Sequence, residues 1–442
     1  MKTFKIGGVH PEENKFSATA AIQVAALPKK VFVPLSQSLG APSKSLVKKG
    51  DSVRTGQLIA VGEAFISSNI HSPVSGKVDK VDDYIDASGY KRPAVFIDVE
   101  GDDWEASIDL NTSLVKEIKL SASEIVQKIK DLGIVGLGGA TLPTQVKMMV
   151  PYGKKVDFLI INGVECEPYL TSDHRLMLEK AHETLVGITI LMKALNVSKA
   201  LIGIENNKPD AIAHLQKIAA EFSGIEVHPL KVKYPQGGEK QLIKALAGRE
   251  VPSGKLPLEV GCVVQNVGTA FAVYEAIQKN KPLIERVVTI TGKGVSKPCN
   301  LMVRIGTPLN QLLEFAGWNP ESVGKVINGG PMMGKALSSV EVPVVKGTSG
   351  ILVLESNESF RDPVQPCIRC AKCVMVCPMG LEPYLLARVS DNSMFDIAEE
   401  KRITDCIECG SCQFTCPSAR PLLDHVRLGK NKVSQIIRTR KN

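Results

Sequence analysis

Eight of the 11 cysteines in this chain form one pattern that is written twice near the carboxyl end. In each copy, three cysteines are separated by two residues, and a fourth follows after three more residues and precedes proline. The two copies are Cys367, Cys370, Cys373 and Cys377, then Cys406, Cys409, Cys412 and Cys416. Thiolates at this spacing are typical ligands of 4Fe–4S clusters, whereas structural zinc sites usually have two separated cysteine pairs. The sequence therefore predicts two 4Fe–4S clusters and one-electron chemistry.

The fourth cysteine of each run is expected to serve the other cluster. Three thiolates on a short loop surround one cluster, while the fourth starts a helix and points away from it. We therefore predict two ligand sets: Cys367, Cys370, Cys373 and Cys416; and Cys406, Cys409, Cys412 and Cys377.

Length and composition describe an ordinary soluble protein with several domains. For 442 residues the expectation is about three domains, and the 44% hydrophobic and 23% charged fractions are usual. The remaining cysteines, Cys166, Cys262 and Cys299, suit a reducing compartment as free thiols. No secretory signal opens the chain, and no apolar run reaches the ~18–20 residues that cross a bilayer. We expect no transmembrane segment of its own.

The charge pattern has one unusual region, at the carboxyl end. The net charge of +8 is modest for this length, but no acidic residue follows Asp424. The basic residues after it are Arg427, Lys430, Lys432, Arg438, Arg440 and Lys441. This stretch fits either a frayed terminus or a contact with a membrane surface or an acidic protein. With aromatics at only 5% and no nucleic-acid motif, we expect no nucleic-acid partner.

The first hundred residues predict short strands joined by glycine and proline turns. Lys49–Val53, Gly56–Leu58 and Ser72–Val78 together resemble a barrel-sandwich domain of the biotinyl/lipoyl type. Carriers of that fold attach their prosthetic group to a lysine on an exposed hairpin. The corresponding stretch here, Glu63–Ile66, has no lysine, so the resemblance implies a scaffold or docking module.

From about residue 121 the pattern changes to alternating strands and helices. Compact apolar runs at Val156–Ile161, Lys199–Ile204 and Gly261–Gln265 predict buried parallel strands, and the order indicates an α/β layer structure. Ligands of such sheets collect beyond the carboxyl ends of the strands. Polar segments follow these three strands: Asn162–Glu167, Glu205–Asn207 and Asn266–Thr269.

Short strands return over residues 286–345 and resemble a soluble-ligand-binding β-grasp module, with no polar cluster that specifies a ligand. Ser356–Asp362 is polar and predicts a link to the cysteine runs. We therefore predict four domains: 1–115, 116–285, 286–355 and 356–442.

A glycine-rich loop, Gly136–Pro143, stands before a short predicted helix at Thr144–Met149. Glycines allow a ligand close to the backbone, and the amides at a helix start favour an anion. It is not a dinucleotide fingerprint, because Thr141 stands at the third glycine position, and it lacks the Gly-Lys-Ser/Thr of a P-loop. Alone, it fits a structural turn equally well.

Three further segments follow this loop in order: Asn162–Pro168, Tyr234–Glu239 and Asn266–Thr269. With the loop they resemble the flavin-binding subunit of respiratory complex I. The opening Gly7–Lys15, the barrel-sandwich segment, the β-grasp region and the two cysteine runs make the chain more similar to the C subunits of Rnf ion-translocating ferredoxin:NAD oxidoreductases. The implied fold is multidomain α/β: a barrel-sandwich module, a complex I flavin-subunit-like α/β domain, a β-grasp module and an α-helical two-cluster ferredoxin domain.

The resemblance also implies the ligand contacts. FMN would be bound by Gly136, Gly138, Gly139, Ala140, Lys147, Asn162, Glu165, Asn266 and Thr269. NAD(H) would face Glu167, Tyr234 and Glu239, with Glu165 and Glu167 as the catalytic candidates. Two positions depart from complex I: Val164 replaces an acidic residue, and Gly238 replaces the first glutamate of a pair.

The implied function is hydride exchange between NAD(H) and FMN, with single electrons passing through the two clusters. Flavin suits this role because it exchanges both electron pairs and single electrons. Implied partners are the other subunits of a membrane complex, with ferredoxin a further candidate, and the implied location is peripheral on the cytoplasmic face. Alternatives are a cobalamin reductase-like flavin/iron–sulfur protein and the diaphorase subunit of a soluble hydrogenase. A non-enzymatic protein with structural or sensory clusters is the remaining alternative.

Overall fold

The computed structural model describes residues 1–441. The first part of the chain forms eight strands: β1 (Ile22–Val24), β2 (Lys30–Pro34), β3 (Lys44–Ser45), β4 (Ser52–Val53), β5 (Leu58–Val61), β6 (Ile70–His71), β7 (Ser75–Ile85) and β8 (Lys91–Gly101). Two antiparallel sheets, in the orders β2-β8-β7-β4 and β3-β5-β6, enclose a small aliphatic core.

The β7–β8 hairpin is longer than the short strands predicted for this region. Each strand has 11 residues, and the outer half of β7 is largely exposed. Asp86 stabilises the tip, because its Oδ1 accepts hydrogen bonds from the Ser88 and Tyr90 amides. The pairing therefore continues beyond the core.

The middle of the chain is the predicted α/β layer. Its elements are α1 (Ala122–Asp131), α2 (Thr144–Met148), β9 (Phe158–Asn162), α3 (Ser172–Glu179), α4 (Ala181–Leu195), β10 (Ala200–Glu205), α5 (Pro209–Ala219), β11 (Ile225–Leu230), α6 (Glu239–Ala247), a 3-10 turn (Pro257–Val260), β12 (Cys262–Asn266) and α7 (Val267–Lys279). The sheet is parallel, in the order β11-β10-β9-β12.

The three predicted buried strands correspond to β9, β10 and β12. Strand β11 was missed: it lies at the edge of the sheet, and its central residues are only half-buried. Its apolar pattern is weak because only Ile225 and Leu230, at its two ends, are buried. At the opposite edge of the sheet, Asn266 at the end of β12 pairs in register with Asn162 at the end of β9. Two of the predicted polar segments therefore start side by side.

A six-stranded sheet follows, and α8 (Leu309–Phe315) packs against it. It consists of β1 together with β13 (Glu285–Thr291), β14 (Cys299–Arg304), β15 (Val323–Asn328), β16 (Lys335–Ala336) and β17 (Gly350–Glu355). Its order is β1-β14-β13-β17-β15-β16. Strand β1 comes from the start of the chain and pairs with β14. The amino-terminal segment thus fastens the first and third parts of the molecule together.

The carboxyl-terminal part is helical: α9 (Lys372–Met375), α10 (Pro383–Asp391), α11 (Phe395–Glu400), α12 (Ser411–Phe414) and α13 (Leu422–Lys441), with 3-10 turns at Ser356–Glu358 and Ile403–Asp405. The basic carboxyl end is therefore a 20-residue helix, and its Val426 and Val433 are buried in the core of this part. Within residues 1–441, no helix combines the length and apolarity that a membrane crossing requires.

Candidate functional site

The glycine-rich loop is hydrogen-bonded to helix α7 at Leu137 and is exposed at the next residues. The Leu137 amide donates to Thr269 Oγ1 at 2.9 Å, and Thr269 is fully buried. Gly138 and Gly139 are exposed. A side chain added at Gly139 would meet no atom within 4 Å, and its φ of +108° is one that other residues rarely adopt. The loop therefore presents exposed backbone with free space in front of Gly139, as close approach of a cofactor requires.

The two asparagines at the strand ends bring the four segments into contact. Asn162 Nδ2 donates to the Gly237 carbonyl at 2.9 Å. Asn266 Oδ1 accepts the Gly268 amide at 2.8 Å and caps α7. A Cβ at Gly138 would lie 3.3 Å from the Asn266 Cβ. The sheet edge thus brings the loop, the strand ends and the Tyr234–Glu239 segment together.

Lys147 and Glu239 form an ion pair inside this arrangement. The Lys147 Nζ lies 2.6 Å from Glu239 Oε1 and 3.0 Å from the Val264 carbonyl oxygen. Lys147 belongs to α2, directly after the loop, and Glu239 begins α6. Their contact links two elements of the predicted pocket.

Glu165 binds the start of helix α3. Its Oε1 accepts the Asp173 amide at 2.7 Å and its Oε2 accepts the His174 amide at 3.1 Å. These are orphan amides of a helix terminus, where a carboxylate is favoured. Glu165 also has a φ of +47°, in the left-handed region, and such strain concentrates at functional sites. The carboxylate therefore has a positioning role, beside its predicted contact with the flavin.

Glu167 lies between the pocket and the second cysteine run. Its two carboxylate oxygens accept the Met333 and Met332 amides at 2.8 and 3.1 Å, and burial raises its pKa to about 7. The Tyr234 hydroxyl lies 3.5 Å from Glu167 Oε1 and donates to the Cys409 carbonyl oxygen at 2.8 Å. A residue of the predicted nucleotide face thus touches a predicted cluster ligand.

The second predicted ligand set surrounds one cavity. Cys377, Cys406, Cys409 and Cys412 all line it, together with apolar side chains such as Leu386 and Val426. Cys377 and Cys409 are only 8% and 7% exposed. Four cysteines that line one cavity with mainly apolar neighbours have the donor chemistry that a 4Fe–4S cluster needs. We call these four cysteines the inner set.

The other predicted set, the outer set, lies at the surface. Cys367 and Cys370 are exposed, while Cys373 and Cys416 are half-buried. Two hydrogen bonds hold the start of the first run to the end of the second: the Gln365 amide donates to the Ser418 carbonyl at 3.0 Å, and Ser418 Oγ donates to the Pro366 carbonyl at 3.0 Å. This crossing is the arrangement that exchanged fourth ligands require.

Sequence reasoning missed three cations that support the pocket, namely Lys15, Arg286 and Lys346. Lys15 Nζ donates to the carbonyl oxygens of Glu165, Glu167 and Leu170 at 2.7–2.9 Å, and burial lowers its pKa to about 8. Lys15 had a signal, because it ends the opening segment that resembles the Rnf family. The contact itself spans at least 150 residues of sequence and has no local signature.

Arg286 is a second missed cation. It is buried, and it donates to the Leu137 carbonyl of the glycine-rich loop at 3.3 Å and to the Lys346 carbonyl. Lys346 in turn donates through Nζ to the Gly133 carbonyl at 2.7 Å. The β-grasp part therefore holds the loop at Leu137 and the segment just before the loop at Gly133. Neither residue stands in a motif, so no signal in the sequence could have found them.

Several relatives match this chain over nearly its whole length. The C subunit of a proton-translocating ferredoxin:NAD(+) oxidoreductase complex from Clostridium ljungdahlii is 47% identical over 435 residues, which cover 98% of this chain and 94% of that protein. The C subunit of a Na(+)-translocating ferredoxin:NAD(+) oxidoreductase complex from Acetobacterium woodii is 44% identical, with 98% and 97% covered. This chain belongs to that family of C subunits. A longer relative, the C subunit of the ion-translocating oxidoreductase complex of Serratia proteamaculans, is 43% identical; the match covers 97% of this chain and 61% of that protein.

Four family models match consecutive parts of the chain. They are the RnfC barrel sandwich hybrid domain at residues 2–102, the Nuo51 FMN-binding domain at 129–275, the SLBB domain at 287–336 and the 4Fe-4S dicluster domain at 360–417. The predictions of family and fold class are therefore confirmed. An FMN-binding domain and an iron–sulfur domain are present, whereas NAD(H) and the individual ligand residues stay predictions.

Two solved structures share the fold. The chain matches NAD+-reducing [NiFe]-hydrogenase in its H2-reduced state with a TM-score of 0.50 and 19% identity, over 70% of this chain and 61% of that one. The air-oxidized state of an NAD+-reducing [NiFe]-hydrogenase gives a TM-score of 0.51 and 16% identity, over 73% and 69%. At these identities the similarity concerns the fold alone.

A buried carboxyl group next to the pocket predicts a pH-dependent stability. Glu205 is 2% exposed, and its Oε1 accepts the Lys233 amide at 3.1 Å. Burial raises its pKa from 4.5 to about 7, against the opposing charge of Lys208. Its stabilising contribution is therefore complete below pH 4.5 and is lost as the pH rises through 7.

We expect the free energy of unfolding of the apo-protein in urea to fall between pH 5 and pH 8, by about 2 kcal/mol from Glu205 alone. Glu205→Gln should flatten this part of the profile, while Glu63→Gln, at a carboxylate exposed in the amino-terminal domain, should leave it unchanged. Parallel profiles for the wild type and Glu205→Gln would contradict the assignment.

Proposed function

We propose that this C subunit is the NAD-side electron-transfer subunit of a membrane-bound, ion-translocating ferredoxin:NAD oxidoreductase. It exchanges hydride between NAD(H) and FMN, and it passes single electrons through two 4Fe–4S clusters. The contact between the Tyr234 hydroxyl and the Cys409 carbonyl carries the proposal, because it joins the nucleotide pocket to a cluster-binding loop within one hydrogen bond.

The pocket residues divide into a binding surface and its support. The exposed backbone of Gly138–Ala140, with Asn162 and Asn266, forms the surface for FMN, while Thr269 holds the loop. When bound, FMN supplies the conversion between a hydride and two single electrons. Glu167, Tyr234 and Glu239 face the nicotinamide nucleotide.

By the resemblance to the complex I flavin subunit, Lys147 would lie near the phosphate of FMN. Lys147 pairs with Glu239. To contact the FMN phosphate, Lys147 must therefore bind the carboxylate and the phosphate together, or release the carboxylate.

The two cysteine sets differ in exposure, so they define an inner and an outer end of the electron path. The inner set lies beside Tyr234 and includes two buried cysteines, Cys377 and Cys409, whereas the outer set includes two exposed cysteines, Cys367 and Cys370. Exposed apolar side chains stand next to the outer set, namely Ile368, Met375 and Phe414. An apolar, exposed surface around a redox centre suits a protein partner, so the electron partner docks there. We place the subunit peripherally, on the cytoplasmic face of the membrane complex, with ferredoxin as a further candidate partner.

Anaerobic titration of FMN-reconstituted protein with NADH tests this function. We expect the flavin absorbance near 450 nm to bleach, followed by reduction of the iron–sulfur chromophore. NADPH serves as the control nucleotide, and the NAD-linked assignment requires a weaker response to it. A flavin that binds but stays oxidised in excess NADH would contradict the proposal.

A further inference from the structure

The basic carboxyl end of the chain contacts the loop that carries the inner set. On α13, Lys430 Nζ donates to the Cys406 carbonyl oxygen at 2.7 Å and to Glu408 Oε1 at 2.8 Å. Arg427 lies three residues earlier on the same face of the helix, and its Nε donates to Glu408 Oε2 at 3.2 Å. Both cations therefore converge on one carboxylate within the second cysteine run.

This group has an excess positive charge. Two cations share the single carboxylate of Glu408, so the three side chains together carry a net charge of about +1 next to Cys406 and Cys409. The side chains of Lys430, Arg427 and Glu408 are 25%, 27% and 32% exposed. Partly buried charges are screened by salt much less than exposed ones, so the excess charge acts on its surroundings.

We propose that Lys430, together with Arg427, raises the reduction potential of the cluster bound by the inner set. This rests on the proposed function, which places a 4Fe–4S cluster there. Reduction adds one electron to the cluster, and no bond forms or breaks. The reduced state is one unit more negative than the oxidised state, so a neighbouring positive charge stabilises it more. Net charge and hydrogen bonds near the sulfurs are among the factors that set cluster potentials.

Such a role explains why the basic residues of α13 are not uniformly solvated. Lys432 is exposed on the same helix, whereas Lys430 points to the cysteine loop. A raised potential at the inner cluster favours the arrival of an electron from the neighbouring pocket. Lys430 thus acts on the cluster through its charge and is not one of the cluster ligands.

The test is a potentiometric titration of the reconstituted holoprotein, followed by EPR of the reduced clusters. For Lys430→Gln we expect about a tenfold decrease in the equilibrium constant for one-electron reduction of the inner cluster, or ~59 mV to lower potential. Lys432→Gln is the matched control and should leave both potentials unchanged. Lys430→Arg keeps the charge and should restore the wild-type potential.

Arg427→Gln provides a second variant that leaves Lys430 and its hydrogen bond to Cys406 in place. It should shift the same potential in the same direction. If Lys430→Gln or Arg427→Gln retains both clusters and titrates like Lys432→Gln, the inference is wrong. Wild-type protein that binds no iron and sulfide would instead overturn the proposed function, so the two failures are distinct.

Discussion

Replacing Cys377 by alanine should remove the cluster of the second cysteine run and leave the cluster of the first run in place. We expect this result because Cys377 lines the same cavity as Cys406, Cys409 and Cys412. Each cluster holds four irons, so iron and sulfide per chain should fall from about eight to about four. The matched single variant, Cys416→Ala, should remove the other cluster to the same extent.

Double variants separate exchanged ligation from ligation within each run. In Cys377→Ala/Cys406→Ala both changes affect one cluster, so about four irons should remain. In Cys377→Ala/Cys367→Ala each cluster loses a ligand, and both should be lost. The reverse result, with both clusters lost in the first double variant and one kept in the second, would show that the fourth ligands are not exchanged.

A side chain at Gly138 should weaken the binding of FMN. Gly138 is exposed on the open face of the loop, and a Cβ there would lie 3.3 Å from the Asn266 Cβ. For Gly138→Val we expect the Kd for FMN to rise on the order of a hundredfold, since overpacking a fitted site typically costs about 1–3 kcal/mol. Flavin fluorescence quenching measures it.

Gly101→Val is a suitable control for this substitution. Gly101 ends strand β8, far from the loop in sequence, and a Cβ there would have an ordinary contact, 3.5 Å from Ser75 Oγ. It should bind FMN like the wild type. Unchanged flavin affinity in Gly138→Val, with iron content and circular dichroism preserved, would place the flavin elsewhere.

What could be predicted from the sequence was the part whose chemistry is local. The ligand spacing of Cys367 to Cys377 lies within one short loop and helix, so it can be recognised without knowledge of the fold. Strands β9 and β12 are largely buried, and their residues are apolar up to the last one or two positions. Their ends follow directly, and with them Asn162 and Asn266.

What could not be predicted depends on contacts between distant segments. The backbone carbonyls that Lys15 binds lie 150 or more residues away, and Arg286 lies 149 residues from Leu137; any carbonyl could have been the acceptor. Of the two interpretations of the carboxyl end, the frayed terminus was wrong. The many basic residues there obscure, in the sequence pattern, the apolar positions such as Val426 and Val433 through which α13 packs into the core. Long-range packing decided these features.

In the proposed path, electrons of NADH reach the iron–sulfur clusters through bound FMN. Rapid freezing of the holoprotein after mixing with NADH, followed by EPR, tests this path. Flavin-free protein with intact clusters is the control. We expect signals of reduced clusters within the first turnover in the holoprotein and none on that timescale without FMN. Equal cluster reduction in the two samples would show that electrons reach the clusters without FMN.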